Sequence, residues 1–254
     1  MSSHHNSLRW RSGVNLVVIA AALVAITVIT NAYSFNLMLR NFRQSLSSTA
    51  LIYTEQISGK VDKINSGSLE LVSLAASSQN YYTSSPLGRY LTQQDILTRL
   101  QDRIRYVESS DLYFFYRTDS DELLTALSNR ASTGSSYFWN QYLMLPPTQP
   151  ANTWFSVTCN GETWLMCYYN VSQVRVGAAV RAKTLLQSLY ADTGLVQDSG
   201  FALAGLDGTI VYSSQPDLMA CGTSLAGHIP ASLIVESHTV PEVGTLLLFR
   251  PVSY

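Results

Sequence analysis

The chain has 254 residues, a net charge of -1 and only 13% charged residues. A polypeptide of this length forms one globular domain or two small ones. Because there is no basic excess, the composition argues against binding to nucleic acid or to anionic lipid through charge.

The N-terminal region is predicted to cross a membrane. No charged side chain occurs between Arg11 and Arg40, and residues 14–38 form an apolar stretch that, as a helix, spans about 30 Å of hydrocarbon. Arg9 and Arg11 precede the stretch, so we expect residues 1–13 to be cytoplasmic and the bulk of the chain to be extracytoplasmic at the cell membrane. A cleaved signal peptide is the alternative, against which the length of the apolar stretch argues.

A long signalling or stalk helix is predicted over residues 39–80. Its apolar residues recur at spacings of 4, 4 and 3, an 11-residue repeat that keeps one stripe on one side of a straight helix. Gly59 and Gly67 count against this helix. The stripe fits packing against the chain's own domain, and it also fits a homodimer with a second copy. It comprises Phe42, Leu46, Ala50, Tyr53, Ile57, Val61, Ile64, Val72 and Ala75.

A break is predicted over residues 81–88, where Ser, Thr and Pro86 interrupt the pattern. A second helix is predicted to begin at Thr92, a residue type that commonly caps helix N-termini. Its apolar face consists of Ile96, Leu97, Leu100, Ile104 and Val107.

Short β segments follow and predict an antiparallel meander. Asn160-Gly161 is a two-residue turn signal, and it predicts a hairpin that places Cys159 and Cys167 on opposite faces of the sheet. We therefore expect no disulfide between them. Residues 137–145 are predicted as a short helix. The predicted strands are 112–116, 122–127, 153–159, 162–170 and 174–180.

The β pattern restarts after one more predicted helix, at 182–192 with Gly194 as its C-cap. A second hairpin is predicted around Asp207-Gly208, from strands 201–206 and 209–212. Two further strands are predicted at 233–235 and 245–249.

No catalytic or metal-binding motif occurs in the sequence. The four histidines and three cysteines form no local constellation. Asp119, Asp121 and Glu122 lie in a polar turn, where three acids are more commonly solvated than bound to a cation. We expect that this chain is not an enzyme by itself and that it holds no cofactor and no metal.

A ligand pocket is predicted beside the meander, because aromatic side chains are dense there and supply an apolar wall. Arg117 or Arg175 would pair with a ligand carboxylate. Core packing is the alternative role for each aromatic residue. The candidate ligand-binding residues are Tyr116, Arg117, Trp139, Tyr142, Tyr168 and Asn170.

Two segments are characteristic: the strand-turn-strand Gly200-Phe201-Ala202-Leu203-Ala204-Gly205-Leu206-Asp207-Gly208-Thr209-Ile210-Val211-Tyr212 and the final Leu248-Phe249-Arg250-Pro251-Val252-Ser253. Together with the order of the elements, they resemble the extracytoplasmic double-Cache, PAS-like sensor region of bacterial transmembrane receptors. Sensor histidine kinases are the most similar class. The resemblance implies an α+β fold: a transmembrane helix, a long membrane-distal-reaching helix, a distal PAS-like unit at 81–194 and a short proximal unit at 195–254 leading towards a second span.

The implied function is to sense a small ligand outside the cell and transmit its binding to a cytoplasmic output through helix movement. The Arg, Trp-Tyr and Asp pattern of the amino-acid-binding members is absent here, so no ligand residue is transferred from the family. A membrane-anchored structural or protein-interaction ectodomain without a small-molecule ligand is the alternative.

Overall fold

The computed structural model describes residues 3–78, 85–107, 109–128, 151–159, 161–191, 199–226, 229–230 and 232–251. The chain divides into two compact units, Met1–Leu46 and Ser47–Tyr254. Helix α1 (Ser3–Ser78) begins in the first unit and ends in the second.

In the first unit, α1 exposes apolar side chains on all sides. Every residue from 15 to 38 is exposed, including large side chains such as Leu16 and Ile29. A helix that is apolar all round needs an apolar environment, either a protein core or lipid. This part of α1 is long and apolar enough to cross a membrane.

In the second unit, α1 buries the predicted stripe against the chain's own sheets. Six stripe residues are buried and Val72 is half-buried. Gly67 lies against the ring of Tyr113, so a side chain at this position would overlap the tyrosine. Gly67, one of the two glycines that count against the helix in the sequence, therefore allows α1 to pack closely on Tyr113. The six buried residues are Ala50, Tyr53, Ile57, Val61, Ile64 and Ala75.

Helix α2 spans Pro86–Tyr106 and begins six residues before the predicted Thr92. The prediction of its start was wrong because the N-cap is Ser85, whose hydroxyl accepts a hydrogen bond from the Gly88 N–H at 3.1 Å, with Pro86 at the first helical position. The Thr92 hydroxyl instead donates to the Gly88 carbonyl within the helix at 2.9 Å. Ile96 and Leu100 are buried as expected.

Five antiparallel strands form the larger sheet, called sheet A. The strands are β1 (Leu112–Arg117), β2 (Glu122–Leu127), β3 (Phe155–Cys159), β4 (Glu162–Val171) and β5 (Val174–Arg181). Their order is β2-β1-β5-β4-β3, so β5 pairs with β1 at the centre of the sheet. The predicted hairpin is confirmed, with Cys159 opposite Glu162, and β1 pairs with β2 with Leu112 opposite Leu127. The predicted helix at 137–145 lies outside the described residues.

Two short helices follow sheet A where one was predicted. They are α3 (Ala182–Leu185) and α4 (Gln187–Ala191), and Leu186 separates them. Gly194, the predicted cap, lies outside the described residues.

The smaller sheet, called sheet B, has four antiparallel strands in the order β7-β6-β9-β8. They are β6 (Gly200–Ala204), β7 (Ile210–Ser213), β8 (Leu233–Val240) and β9 (Gly244–Pro251). Strand β8 is longer than the predicted 233–235. A bulge between Leu203 and Ala204 shifts the register of the Asp207-Gly208 hairpin. The fold is α+β, a long N-terminal apolar helix followed by antiparallel sheets.

Candidate functional site

Sheet A packs on α1 with one of its two faces, where the Tyr113 hydroxyl donates to the Ile64 carbonyl at 3.3 Å. Because side chains alternate along a strand, the neighbours of Tyr113 point to the opposite face, called the aromatic face. It carries the buried cluster Leu112, Phe114, Tyr116, Trp164, Met166, Tyr168 and Ala179.

Arg175 lies at one end of the aromatic face, between two tyrosines. Its guanidinium carbon is 5.7 Å from the ring centre of Tyr116 and 5.2 Å from that of Tyr168. Strand register explains the position, since Tyr116 and Asn170 are the cross-strand partners of Arg175 in β1 and β4. The Arg175 Nε–H also donates to the Asn170 side-chain carbonyl at 3.4 Å. The cation is thus held over two aromatic rings, an arrangement that stabilises a guanidinium.

The polar ends of this group reach solvent. Tyr116 donates its hydroxyl to Asp121 at 2.9 Å, and burial together with this hydrogen bond raises the pKa of Tyr116. Burial also raises the pKa of Tyr168. Both tyrosines are therefore neutral hydrogen-bond donors at neutral pH. Asn170 and Asp121 are exposed and Arg175 is half-buried, so the group lies at the border between the aromatic face and water.

The structure brings three of the predicted site residues together. Tyr116, Tyr168 and Asn170 lie on the aromatic face around Arg175. Arg117 lies on the opposite face of the sheet and forms an ion pair with Asp119 in the following turn, which holds the pKa of that carboxyl below its usual range. Trp139 and Tyr142 lie outside the described residues.

A second charged group, at the other end of the aromatic face, was not predicted from the sequence. Asp111 is fully buried just before β1, and its carboxylate pairs with Arg181 at the end of β5. The Arg181 guanidinium carbon lies 5.7 Å from the ring centre of Trp164, and the Ser128 hydroxyl donates to Asp111 at 3.2 Å. The sequence signal was an Asp directly before an apolar strand, which becomes informative only when its cross-sheet partner is known.

One turn of α1 is bonded to both sheets. The Trp154 indole N–H, next to β3, donates to the Asn65 side-chain carbonyl at 3.2 Å. The Asn65 amide in turn donates to Glu242, in the turn between β8 and β9, at 2.6 Å. Asn65 therefore joins α1 to both sheets by direct side-chain hydrogen bonds.

The chemistry available at the aromatic face is that of binding. The group around Arg175 contains a cation, two phenol groups and a carboxamide, which are functional groups that can pair or hydrogen-bond with an acidic ligand. Within the described ranges, no group of three or more His, Cys, Asp or Glu residues is arranged to hold a metal ion.

No protein-family profile matches the sequence, and no characterised protein matches it significantly. Solved structures with the same fold do exist. The periplasmic sensory domain of the chemoreceptor Tlp1 from Campylobacter jejuni superposes with a TM-score of 0.56 at 10% identity, covering 84% of this chain and 96% of that one. A protein described as methyl-accepting chemotaxis protein X gives a TM-score of 0.54 at 10% identity, over 84% of this chain and 98% of that one. The fold of this chain is therefore the fold of a chemoreceptor's extracytoplasmic sensory domain.

Proposed function

We propose that this chain is the extracytoplasmic ligand-sensing input module of a membrane-bound signal-transduction receptor. Three observations support the proposal: the sensory-domain fold, the apolar part of α1 and the group around Arg175. The group around Arg175 is the main support for the proposal, because two tyrosine rings hold the guanidinium in one orientation and a guanidinium in a fixed orientation can orient a ligand.

The ligand is a small molecule with a carboxylate or a similar acidic group. Arg175 supplies the positive charge and a planar set of donors that suits a carboxylate. Asn170 is exposed beside it and offers an amide.

In this proposal residues 1–13 are cytoplasmic and the sheets face outward, consistent with Arg9 and Arg11 before the apolar segment. Sheet A with α2 is the membrane-distal unit and sheet B the shorter proximal unit of a double-Cache arrangement. The output is of the two-component sensor kinase type, and the chain itself performs no catalysis. Binding at sheet A reaches α1 through Tyr113 and Trp154.

A second copy of the chain is the proposed protein partner, through α1. Leu51 and Leu69 are about half exposed, and they lie 18 residues apart, which is five helical turns and so the same side of the helix. Homodimer formation is checked by analytical ultracentrifugation of the chain in detergent micelles, where Leu51→Glu combined with Leu69→Glu should shift the equilibrium to the monomer.

A protein-interaction ectodomain without a small ligand is the second candidate. Leu87, Tyr90 and Leu91 are 67%, 56% and 58% exposed. Residues at these spacings share one side of a helix, so α2 presents a small apolar surface.

The experiment that tests the proposal is thermal unfolding of the full chain in detergent micelles against a panel of amino acids, other carboxylates, sugars, amines and small peptides. A ligand at about 100 times its dissociation constant should raise the free energy of unfolding by about 2.7 kcal/mol. A saturable rise in melting temperature with acidic ligands supports the sensor. A cooperatively unfolding protein that responds to no member of the panel supports the protein-interaction ectodomain.

A further inference from the structure

A cavity of about 280 Å³ lies between the two sheets of the second unit. Edge strand β3 of sheet A forms one wall. The turn between β6 and β7 and the turn between β8 and β9, both of sheet B, form the others. The volume is close to the lower end of about 300 Å³ found for small-molecule sites. The cavity is separate from the group around Arg175, none of whose residues lines it.

The lining combines apolar walls with one negative charge. Trp154, Leu165, Leu206 and Val243 supply apolar surface, and among the described lining residues Asp207 alone has an ionisable side chain. None of these described residues is basic. Asp207 is exposed, so its carboxylate is accessible to an entering ligand, and together with the apolar walls it favours an occupant with a positive charge and an apolar body.

The Asp207 carboxylate is held in a fixed position. Its Oδ1 accepts the Thr209 backbone N–H at 3.0 Å and its Oδ2 accepts the Thr209 hydroxyl at 3.0 Å. Each carboxylate oxygen has two lone pairs, so both retain capacity for a ligand donor. A preorganised acceptor loses little freedom on binding.

The cavity also adjoins the hydrogen bonds that join the sheets to α1. Trp154, in its wall, donates to Asn65, and Asn65 donates to Glu242, the residue before Val243 in the opposite wall. An occupant therefore contacts Trp154, one partner in this connection, and Val243, the residue next to the other partner.

We propose that the cavity is a second binding site, specific for a small organic monocation with an apolar body, such as an arylalkyl ammonium ion. The site is independent of the proposed acidic ligand at the aromatic face and has the opposite charge preference. Its occupant fills the space between the sheets and strengthens their connection through α1.

The test is titration calorimetry of the full chain in detergent micelles, with protein-free micelles subtracted. The probes are 2-phenylethylammonium, its neutral analogue 2-phenylethanol and its anionic analogue phenylacetate. The ammonium ion should bind with a dissociation constant below about 1 mM and about tenfold more tightly than the alcohol, the difference expected from one charge-assisted hydrogen bond. Phenylacetate should not bind at the cavity, so its affinity should not change in the cavity variants.

Two variants and one control locate the site. Asp207→Asn keeps an acceptor for the Thr209 N–H and should weaken ammonium binding about tenfold. Ser156→Phe adds a ring at the cavity wall and should abolish binding while preserving the charge. Asp217→Asn removes an exposed carboxylate of the same unit outside the cavity and should leave the affinity unchanged.

The proposal is overturned if the ammonium ion and the alcohol bind equally well to the unmodified chain. It is also overturned if binding survives Ser156→Phe, or if Arg175→Met removes ammonium binding while Asp207→Asn leaves it intact. The comparison of the three probes needs no variant, so the proposal stays testable even where a substitution prevents folding.

Discussion

The guanidinium of Arg181 donates two hydrogen bonds to the carboxylate of Asp111, from Nη2–H to Oδ1 at 3.0 Å and from Nε–H to Oδ2 at 3.3 Å. The Arg181 backbone N–H also donates to Oδ2 at 2.9 Å. The side chain of Asp111 is 1% exposed and that of Arg181 17% exposed. The ion pair connects the start of β1 to the end of β5, the two strands that pair at the centre of sheet A.

Asp111→Ala should destabilise the second unit strongly, because it removes a buried carboxylate that accepts three hydrogen bonds from Arg181 and leaves the guanidinium with the more distant Glu162 carboxylate at 3.9 Å. The expected loss in the free energy of unfolding is about 3–5 kcal/mol. Urea denaturation followed by circular dichroism measures it. The matched control is Asp95→Ala, which removes an ion pair with Arg99. The side chains of Arg99 and Asp95 are 58% and 55% exposed, so the loss in the free energy of unfolding should be less than about 1 kcal/mol. Equal losses in the two variants would mean that the buried pair has no special role.

Asn65→Ala should destabilise the protein by about 1–3 kcal/mol, because the buried Trp154 indole N–H loses its acceptor. In a Trp154→Phe background the same substitution should cost clearly less, so the double-mutant cycle gives a non-zero interaction energy. Ser66→Ala changes the exposed neighbouring residue and should stay within about 0.5 kcal/mol. Additive effects of the two substitutions would contradict the described hydrogen bond.

Two glycine substitutions should have opposite signs. At Gly177, in central strand β5, a Cβ would overlap the Cys167 carbonyl and lie 2.8 Å from the Tyr168 Cα, so Gly177→Ala should cost at least about 1–3 kcal/mol. At Gly59, in α1, a Cβ meets nothing within 4 Å, so Gly59→Ala should stabilise by about 0.5–1 kcal/mol. Chemical denaturation of both variants measures the difference.

The buried Cys167 thiol should make stability fall at alkaline pH. Burial, with a smaller effect of the Glu242 charge, raises its pKa from 9.0 to about 12. Above pH 9 the unfolded chain releases this proton while the folded chain keeps it, so the thiol's contribution is complete below pH 9 and declines as pH rises towards 12. Between about pH 9.5 and 11 the free energy of unfolding should fall with pH less steeply in Cys167→Ala than in the unmodified chain, by about 1 kcal/mol per pH unit. An identical slope in both proteins would show that the thiol titrates normally when folded.

Elements that depend on residues close together in the chain, such as hairpins and amphipathic helices, are predicted by local sequence patterns. The Asn160-Gly161 pair in the sequence predicts the observed register of β3 and β4, and the 11-residue stripe predicts the buried side of α1. The start of α2 was missed because a Ser-Pro pair within a polar stretch suggested a break, although Ser85 and Pro86 form a helix N-terminus.

The features that depend on distant pairing could not be predicted. The order of sheet A places Leu112 opposite Ala179, 67 positions later in the chain, and no periodicity encodes that pairing. The ion pair of Asp111 with Arg181 and the position of Arg175 over Tyr116 both result from it. Strand parity alone placed Tyr168 and Asn170 on one face, since these residues are two apart in β4.

The measurement that tests the central claim most directly is titration calorimetry of the strongest acidic ligand from the unfolding panel against the unmodified chain and two arginine variants. Arg175→Met removes the guanidinium held over Tyr116 and Tyr168 and should weaken binding by about tenfold or more. Arg99→Met removes an exposed guanidinium on α2 and should bind like the unmodified chain. Equal affinity in all three proteins, or no binding of any acidic ligand to the folded chain, would contradict a sensor site at the aromatic face.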